Sequence, residues 1–240
     1  MTINISKNPI KKIKDVAFVL TPSAFMKKYK NYADAGEGLE LLLVPSRYDP
    51  QKFEAALMEG NILPNGTAVI PKVEQLDIVY LGAYLNSYPG RLLLSNNHIN
   101  ENVQISANTI GNLPIRMVNS NIQTAFGMLH LLVYYLQEEV KDQDNDRYLK
   151  YKIQLFSELR DAVAMQLMIP RLYSTFNIDV LGRWMDLLCF NNELKSNNNH
   201  VEMAKIITEL LLDPTNPTMN ELKKLRVVLD IITKKLKDKK

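Results

Sequence analysis

From Met117 to Gln137 the chain carries no Asp, Glu, Lys or Arg. A helix over that run would be long enough to reach across a bilayer, so it must either enter lipid or be covered by the rest of the protein. The polar side chains decide between the two. Asn119, Ser120, Asn121, Gln123, Thr124 and His130 would each be desolvated in hydrocarbon, which is costly. A buried helix of a soluble chain, apolar nearly all round, is therefore expected, with no transmembrane segment. Such a helix needs a shell of other elements around it. With 240 residues, 46% of them hydrophobic and 23% charged, the chain can supply that shell as one large domain or as two lobes.

Before this run the sequence alternates between strand and helix signals. Asp15 to Leu20 is β-rich, and Thr21-Pro22 marks the N-cap and first position of a helix expected to reach about Asp34. Leu39 to Val44 has strand length and composition, and Asp49-Pro50 is expected to open a short helix that Gly60 closes. Beyond the Pro64-Asn65-Gly66 turn, Thr67 to Ile70 reads as a strand, and Pro71 as the start of a helix through Tyr84 that Pro89-Gly90 stops. Arg91 to Leu94 and Val103 to Ser106 read as further short strands.

After Ser120 the apolar spacing turns helical. Helices are expected over Asn121 to Val140, over Asp146 to Met168, around Trp184, from Val201 to Leu212 and from Met219 to Lys237, with Thr218 and Glu221 at capping-box spacing. In the second of these, Tyr148, Tyr151 and Leu155 fit an inward stripe. The fold class is thus predominantly α with a mixed N-terminal part, an α+β chain of two lobes, residues 1–116 and 117–240, the second all-helical.

Charge is distributed unevenly. The net value is only +3, yet the segment from Lys7 to Lys30 holds seven lysines against Asp15 and that from Glu221 to Lys240 holds eight basic residues against three acidic, leaving −8 for the remainder. Basic ends of this kind can reach phosphates or the acidic surface of a second copy. Cys189 is the single cysteine, and its neighbours Leu187, Leu188 and Phe190 suggest a buried thiol in a reducing, cytoplasmic setting.

No Walker loop, HExxH, GxSxG or paired CxxC occurs, so no cofactor or metal is assigned. Asp142, Asp144 and Asp146 resemble the opening of a calcium loop, but Arg147 and Ile153 stand where that loop needs Gly and a bidentate Glu. Thr21 and Ser23 follow the first strand as a phosphate-binding turn would in a nucleotide-binding α/β domain, without its glycines. This leaves a small enzyme acting on a nucleotide or phosphorylated substrate as an alternative.

Basic and aromatic residues interleave at Arg147, Tyr148, Lys150, Tyr151 and Lys152, followed by Arg160, Arg171 and Arg183. This composition suits phosphate contacts and base stacking on single-stranded RNA. The last helix carries Leu225, Val228, Leu229, Ile232 and Leu236 at helical spacing, a stripe that can pack on its own lobe or contact another subunit. In size and two-lobe plan the chain resembles the nucleoproteins of segmented negative-strand RNA viruses, a likeness that assigns no residue a role. The sequence therefore points to a self-assembling, non-enzymatic RNA-binding protein, with a helical protein-interaction adaptor as a further alternative.

Overall fold

Residues 5–29, 39–50, 52–59, 66–96, 98, 100–142, 146–190 and 200–237 are described by the computed structural model. Their elements run in chain order β1 (Ile10–Lys12), α1 (Ile13–Val16), β2 (Ala17–Leu20), α2 (Pro22–Lys28), β3 (Glu40–Pro45), β4 (Arg47–Tyr48), β5 (Ala56–Glu59) and β6 (Gly66–Pro71). Next come α3 (Ile78–Asn86), α4 (Tyr88–Leu94), β7 (Val103–Gln104), α5 (Ala107–Asn112), β8 (Pro114–Arg116) and α6 (Ser120–Asp142). Five helices complete the chain: α7 (Arg147–Met168), α8 (Pro170–Thr175), α9 (Val180–Phe190), α10 (His200–Leu212) and α11 (Pro217–Lys237). The fold is α+β. Two units divide the chain, Asn8–Gly127 and a helical one made of Met1–Lys7 with Met128–Lys240. That division falls inside α6.

In the mixed unit the main sheet has the order β2-β6-β3-β5 and is antiparallel throughout. Because β6 is antiparallel to both neighbours, β2 and β3 run in the same direction without touching. Among the described residues no two adjacent strands are parallel, as a doubly wound nucleotide-binding domain requires. Helix α2 lies over the sheet and buries Phe25 against Leu41, Ala68 and Ile70, with Phe18, Leu20 and Tyr29 packed at the margin. Thr21 caps it as expected, its hydroxyl accepting the Ala24 N–H at 3.3 Å. The expected extension of this helix and the Pro64 turn lie outside the described residues.

Several local expectations are corrected. Asp15 and Val16 belong to the helical turn α1, so the first strand starts at Ala17. The segment after Asp49-Pro50 makes one turn and then enters β5, where Leu57 pairs opposite Leu42. Pro71 ends β6, and α3 instead starts from Asp77, whose carboxylate accepts the Tyr80 N–H. Pro89-Gly90 does not stop a helix: Ser87 caps α4, with Pro89 in its first turn, and Arg91 to Leu94 are helical. A proline there is tolerated because the first amides of a helix lack intrahelical partners anyway. The pairing of β1 with β8 and the helix α5 carry no clear sequence signal.

The charge-free run behaves as expected. Ile122, Phe126, Leu129, Leu132, Val133 and Leu136 of α6 are buried, and no described helix is long and apolar enough to cross a membrane. Gln123 resolves its own desolvation by donating to the carbonyls of Gln75 and Val118 and accepting the Asp77 N–H.

His130 of α6 is 7% exposed. Burial first, and then the charge of Arg160, push its pKa down to about 3. A histidine held neutral in the folded state and titrating near 6.5 when unfolded binds more protons unfolded at acid pH. Its contribution is complete above about pH 6.5 and is lost as pH falls toward 3. The expected loss is on the order of 4 kcal/mol across that window. A His130→Leu variant should lack this component, seen as a flatter dependence of urea midpoint on pH. Parallel profiles for variant and wild type would contradict it.

In the helical unit Trp184, Phe156 and Tyr173 are fully buried, and a polar network ties three helices together. Gln166 of α7 donates to Asp179 at 2.8 Å and accepts the Leu181 N–H of α9 at 2.9 Å, while Glu221 of α11 accepts the Asp179 N–H at 2.9 Å. Glu221 thus serves α9 and does not complete a capping box. Asn216 caps α11 instead, accepting from Thr218 and Met219, with Pro217 next to it. Cys189 is exposed, not buried as expected, because it lies on the outer side of α9.

Candidate nucleic-acid interface

Helix α7 begins at Asp146, whose carboxylate accepts the N–H groups of Tyr148 and Leu149 and so fixes the first turn. Asp146 is therefore a helix cap, and residues 143–145 of the calcium-like segment lie outside the described residues. No group of three or more metal-ligating side chains occurs among the described residues. From this start the helical period places Arg147, Lys150, Tyr151 and Gln154 on one exposed face, at spacings of three and four residues.

Tyr148 is 45% exposed and Tyr151 43%, so neither belongs to the core, contrary to the stripe read from the sequence. Leu155 of that stripe is buried as expected, with Leu149, Phe156 and Leu159; Tyr151 falls on the outward side of the helix, whereas Tyr148 shares the side of Leu155 and is exposed at the first turn of α7. The Lys152 ammonium stands over the Tyr148 ring, 4.5 Å from its centroid, a cation–π contact that holds ring and charge together. Arg226 of α11 reaches the same helix at Glu158, about two turns beyond Tyr151. Its guanidinium donates to both carboxylate oxygens of Glu158 at 2.6 Å. This bonding raises its pKa above the usual value, with Tyr151 close enough to add to the effect. The first turns of α7 thus carry Arg147, Lys150 and Tyr151 on one face and the Tyr148–Lys152 pair on another, with the neutralised Arg226 further along.

The other predicted cations do not join it. Arg160 is 7% exposed, lies 3.8 Å from Asp161 and faces the interior near His130. It is thereby removed from the surface set. Arg171 is exposed on α8, past the far end of α7. The 22 residues of α7 separate it from Arg147 by about 30 Å at 1.5 Å per residue. Arg183, two residues beyond the Leu181 that bonds Gln166, is also at that far end and sits 3.5 Å from Asp186. The six residues therefore form no continuous track, and three of them share the N-terminal part of α7.

The apolar stripe of α11 faces its own unit. Leu222 and Leu225 are buried, and Val228, Leu229 and Ile232 are half-buried, in a helix that packs on α9 and α7. The Leu236 side chain lies outside what is described. On the opposite side Val227 and Ile231, four residues apart, are 58% and 48% exposed, a pair outside the predicted stripe.

Thr21 and Ser23, the residues of the nucleotide alternative, sit at the start of a seven-residue helix. Their hydroxyls lie 3.3 Å apart and Thr21 is occupied as the cap. The strand–turn–helix of β2, Thr21 and α2 is present, but β6 separates β2 from β3, so among the described residues β2 has no parallel neighbour of the kind a doubly wound domain places beside that turn. No protein-family model, curated protein or solved structure matches the chain.

Proposed function

We propose that the protein is a cytoplasmic, non-enzymatic binder of single-stranded RNA, whose contact surface is the N-terminal part of α7. The observation that carries this reading is the exposure of Tyr148 and Tyr151 beside Arg147, Lys150 and Lys152. Large phenol rings at the surface are costly in solubility, yet they offer stacking platforms to unpaired bases while the cations meet phosphates. Sequence preference should be slight, since every base has a face to stack. Purified from cells, the protein should carry nucleic acid that high salt removes, seen in the ratio of absorbance at 260 and 280 nm. A fluorescent oligouridylate should then bind with an affinity that falls steeply with salt. A protein that stays free of nucleic acid and leaves the oligonucleotide's anisotropy unchanged at low salt would overturn the proposal.

Self-assembly, as in a nucleoprotein, is proposed through the outer side of α11 and not through its inward stripe. Val227 and Ile231 support it, and light scattering on a Val227→Glu, Ile231→Glu variant tests it. A loss of oligomers with RNA binding retained is expected. A monomeric wild type that captures one protein partner stoichiometrically, and no RNA, would favour the adaptor reading instead.

A further inference from the structure

The lysine-rich N-terminal stretch is folded into a defined arrangement in the mixed unit. Lys28, in the last turn of α2, places its ammonium 3.5 Å from the centroid of the Phe18 ring on β2 and 5.9 Å from that of Tyr29. Lys72, just past the end of β6, stands 5.7 Å from the same Phe18 centroid. Its ammonium is fixed by donation to the Lys14 carbonyl at 2.6 Å. Both lysines are exposed, while Phe18 is anchored in the cluster under α2.

One ring thus organises two cations, and their distances from its centroid put them no more than about 9 Å apart. Among the described residues, neither has a carboxylate within ion-pair distance. Of the described acids, Asp15 accepts the backbone N–H of Lys12, and Glu74, the nearest acid to Lys72, is exposed without an ion pair to it; Asp34 and Glu37, which follow Lys28 in sequence, lie outside the described residues. The ring's negative face offsets part of the charge of Lys28, but among the described residues no carboxylate balances the mutual repulsion of the two ammonium groups. An oxyanion between them removes it. One phosphate, bridging by a charge-assisted contact of about 2.8 Å on each side, spans roughly 8 Å between nitrogens.

We propose that Lys28 and Lys72, held around Phe18, form a phosphodiester-binding site for single-stranded nucleic acid in the mixed unit, additional to the α7 surface. The proposal rests on the RNA-binding reading and supplies it with a second contact. It also assigns a role to Lys28, one of the seven lysines of residues 7–30. A nucleic-acid backbone fits better than a lipid surface because the ring is covered by the Lys28 ammonium and half-buried, leaving it no apolar face to insert.

The test uses the full chain and a fluorescent oligouridylate titrated over a range of salt concentrations, with wild type, Lys28→Ala/Lys72→Ala, Lys28→Arg/Lys72→Arg and Arg147→Ala/Lys150→Ala. Each phosphate contact on a single strand contributes about 0.7 to the slope of log affinity against log salt. The double alanine variant, which loses the one bridged phosphate, should lose about 0.7 of that slope, the arginine variant should retain it, and the loss should add to that of the α7 variant. Wild-type binding with an unchanged slope in the alanine variant would overturn this site and leave the RNA reading standing. Absence of wild-type binding would overturn both. Lysine-dependent binding to phosphatidylcholine vesicles containing phosphatidylserine, with RNA binding unaffected, would assign the cations to a membrane and so overturn the site as proposed.

Discussion

Replacing Gly90 by alanine is expected to destabilise the mixed unit by about 3 kcal/mol or more, at the upper end of what overpacking costs. Two effects of opposite sign compete at this position. Alanine in a helix is favoured over glycine by about 1 kcal/mol, and Gly90 lies within α4. Against that, a Cβ at Gly90 would overlap the Tyr84 carbonyl oxygen and stand 3.0 Å from its carbonyl carbon. That oxygen already accepts the Ser87 hydroxyl at 2.6 Å and the Ser87 N–H at 3.2 Å. Backbone cannot rotate away as a side-chain tip can, so relief requires α3 and α4 to part, and both are buried along this contact. Steric cost wins. Gly111→Ala is the control, since its nearest neighbour would be the Lys14 Cβ at 3.3 Å, and a few tenths of an ångström relieve it. A thermal or urea midpoint for Gly90→Ala at or above that of Gly111→Ala would show that the α3–α4 corner is not so tight.

The second large effect is on binding. With Tyr148 and Tyr151 both changed to alanine, oligouridylate affinity should fall at least about 30-fold, since each stacked base contributes roughly 1–3 kcal/mol and 1.4 kcal/mol is a factor of ten. Changing Arg147 and Lys150 to alanine instead should lower the salt slope by about 1.4, because charge neutralisation is what salt competes with. Both pairs are exposed, so folding stability should move by no more than about 0.5 kcal/mol in either variant. A loss of affinity accompanied by a loss of the α-helical circular dichroism would instead mark these residues as structural. Arg160→Ala and the pair Arg171→Ala, Arg183→Ala should leave the slope unchanged, the first because Arg160 is interior, the second because those side chains are remote from the α7 start.

The contrast among these arginines shows what could be read from the chain and what could not. The charge-free run determined a buried helix by itself, because its polar residues are too many for lipid and its apolar ones too many for water. Strong local signals also stood alone: Thr21-Pro22 started α2, Asp146 started α7, and long apolar periods located α6, α7, α10 and α11. Short elements were decided elsewhere. Ala56–Glu59 became a strand because β3 offered it an edge, and Arg91–Leu94 became helical because Ser87 and Pro89 organised the turn before it.

At the candidate surface, composition marked the basic and aromatic stretch, but periodicity alone could not fix which side of α7 turns inward. Tyr148 and Leu149 are adjacent and both apolar enough for a core. The packing of Phe156, Leu159 and Val163 settled the rotation of the helix and turned Tyr151 outward, while Tyr148 is exposed because it lies in the first turn. Likewise the run of lysines near the N-terminus was plain in the sequence, while the convergence of Lys28 and Lys72 on one ring depends on β2 and β6 lying side by side. Hydrophobic pattern and caps act over a few residues and are written locally. Which charges share a surface depends on strand pairing and helix rotation, set by contacts between distant parts of the chain.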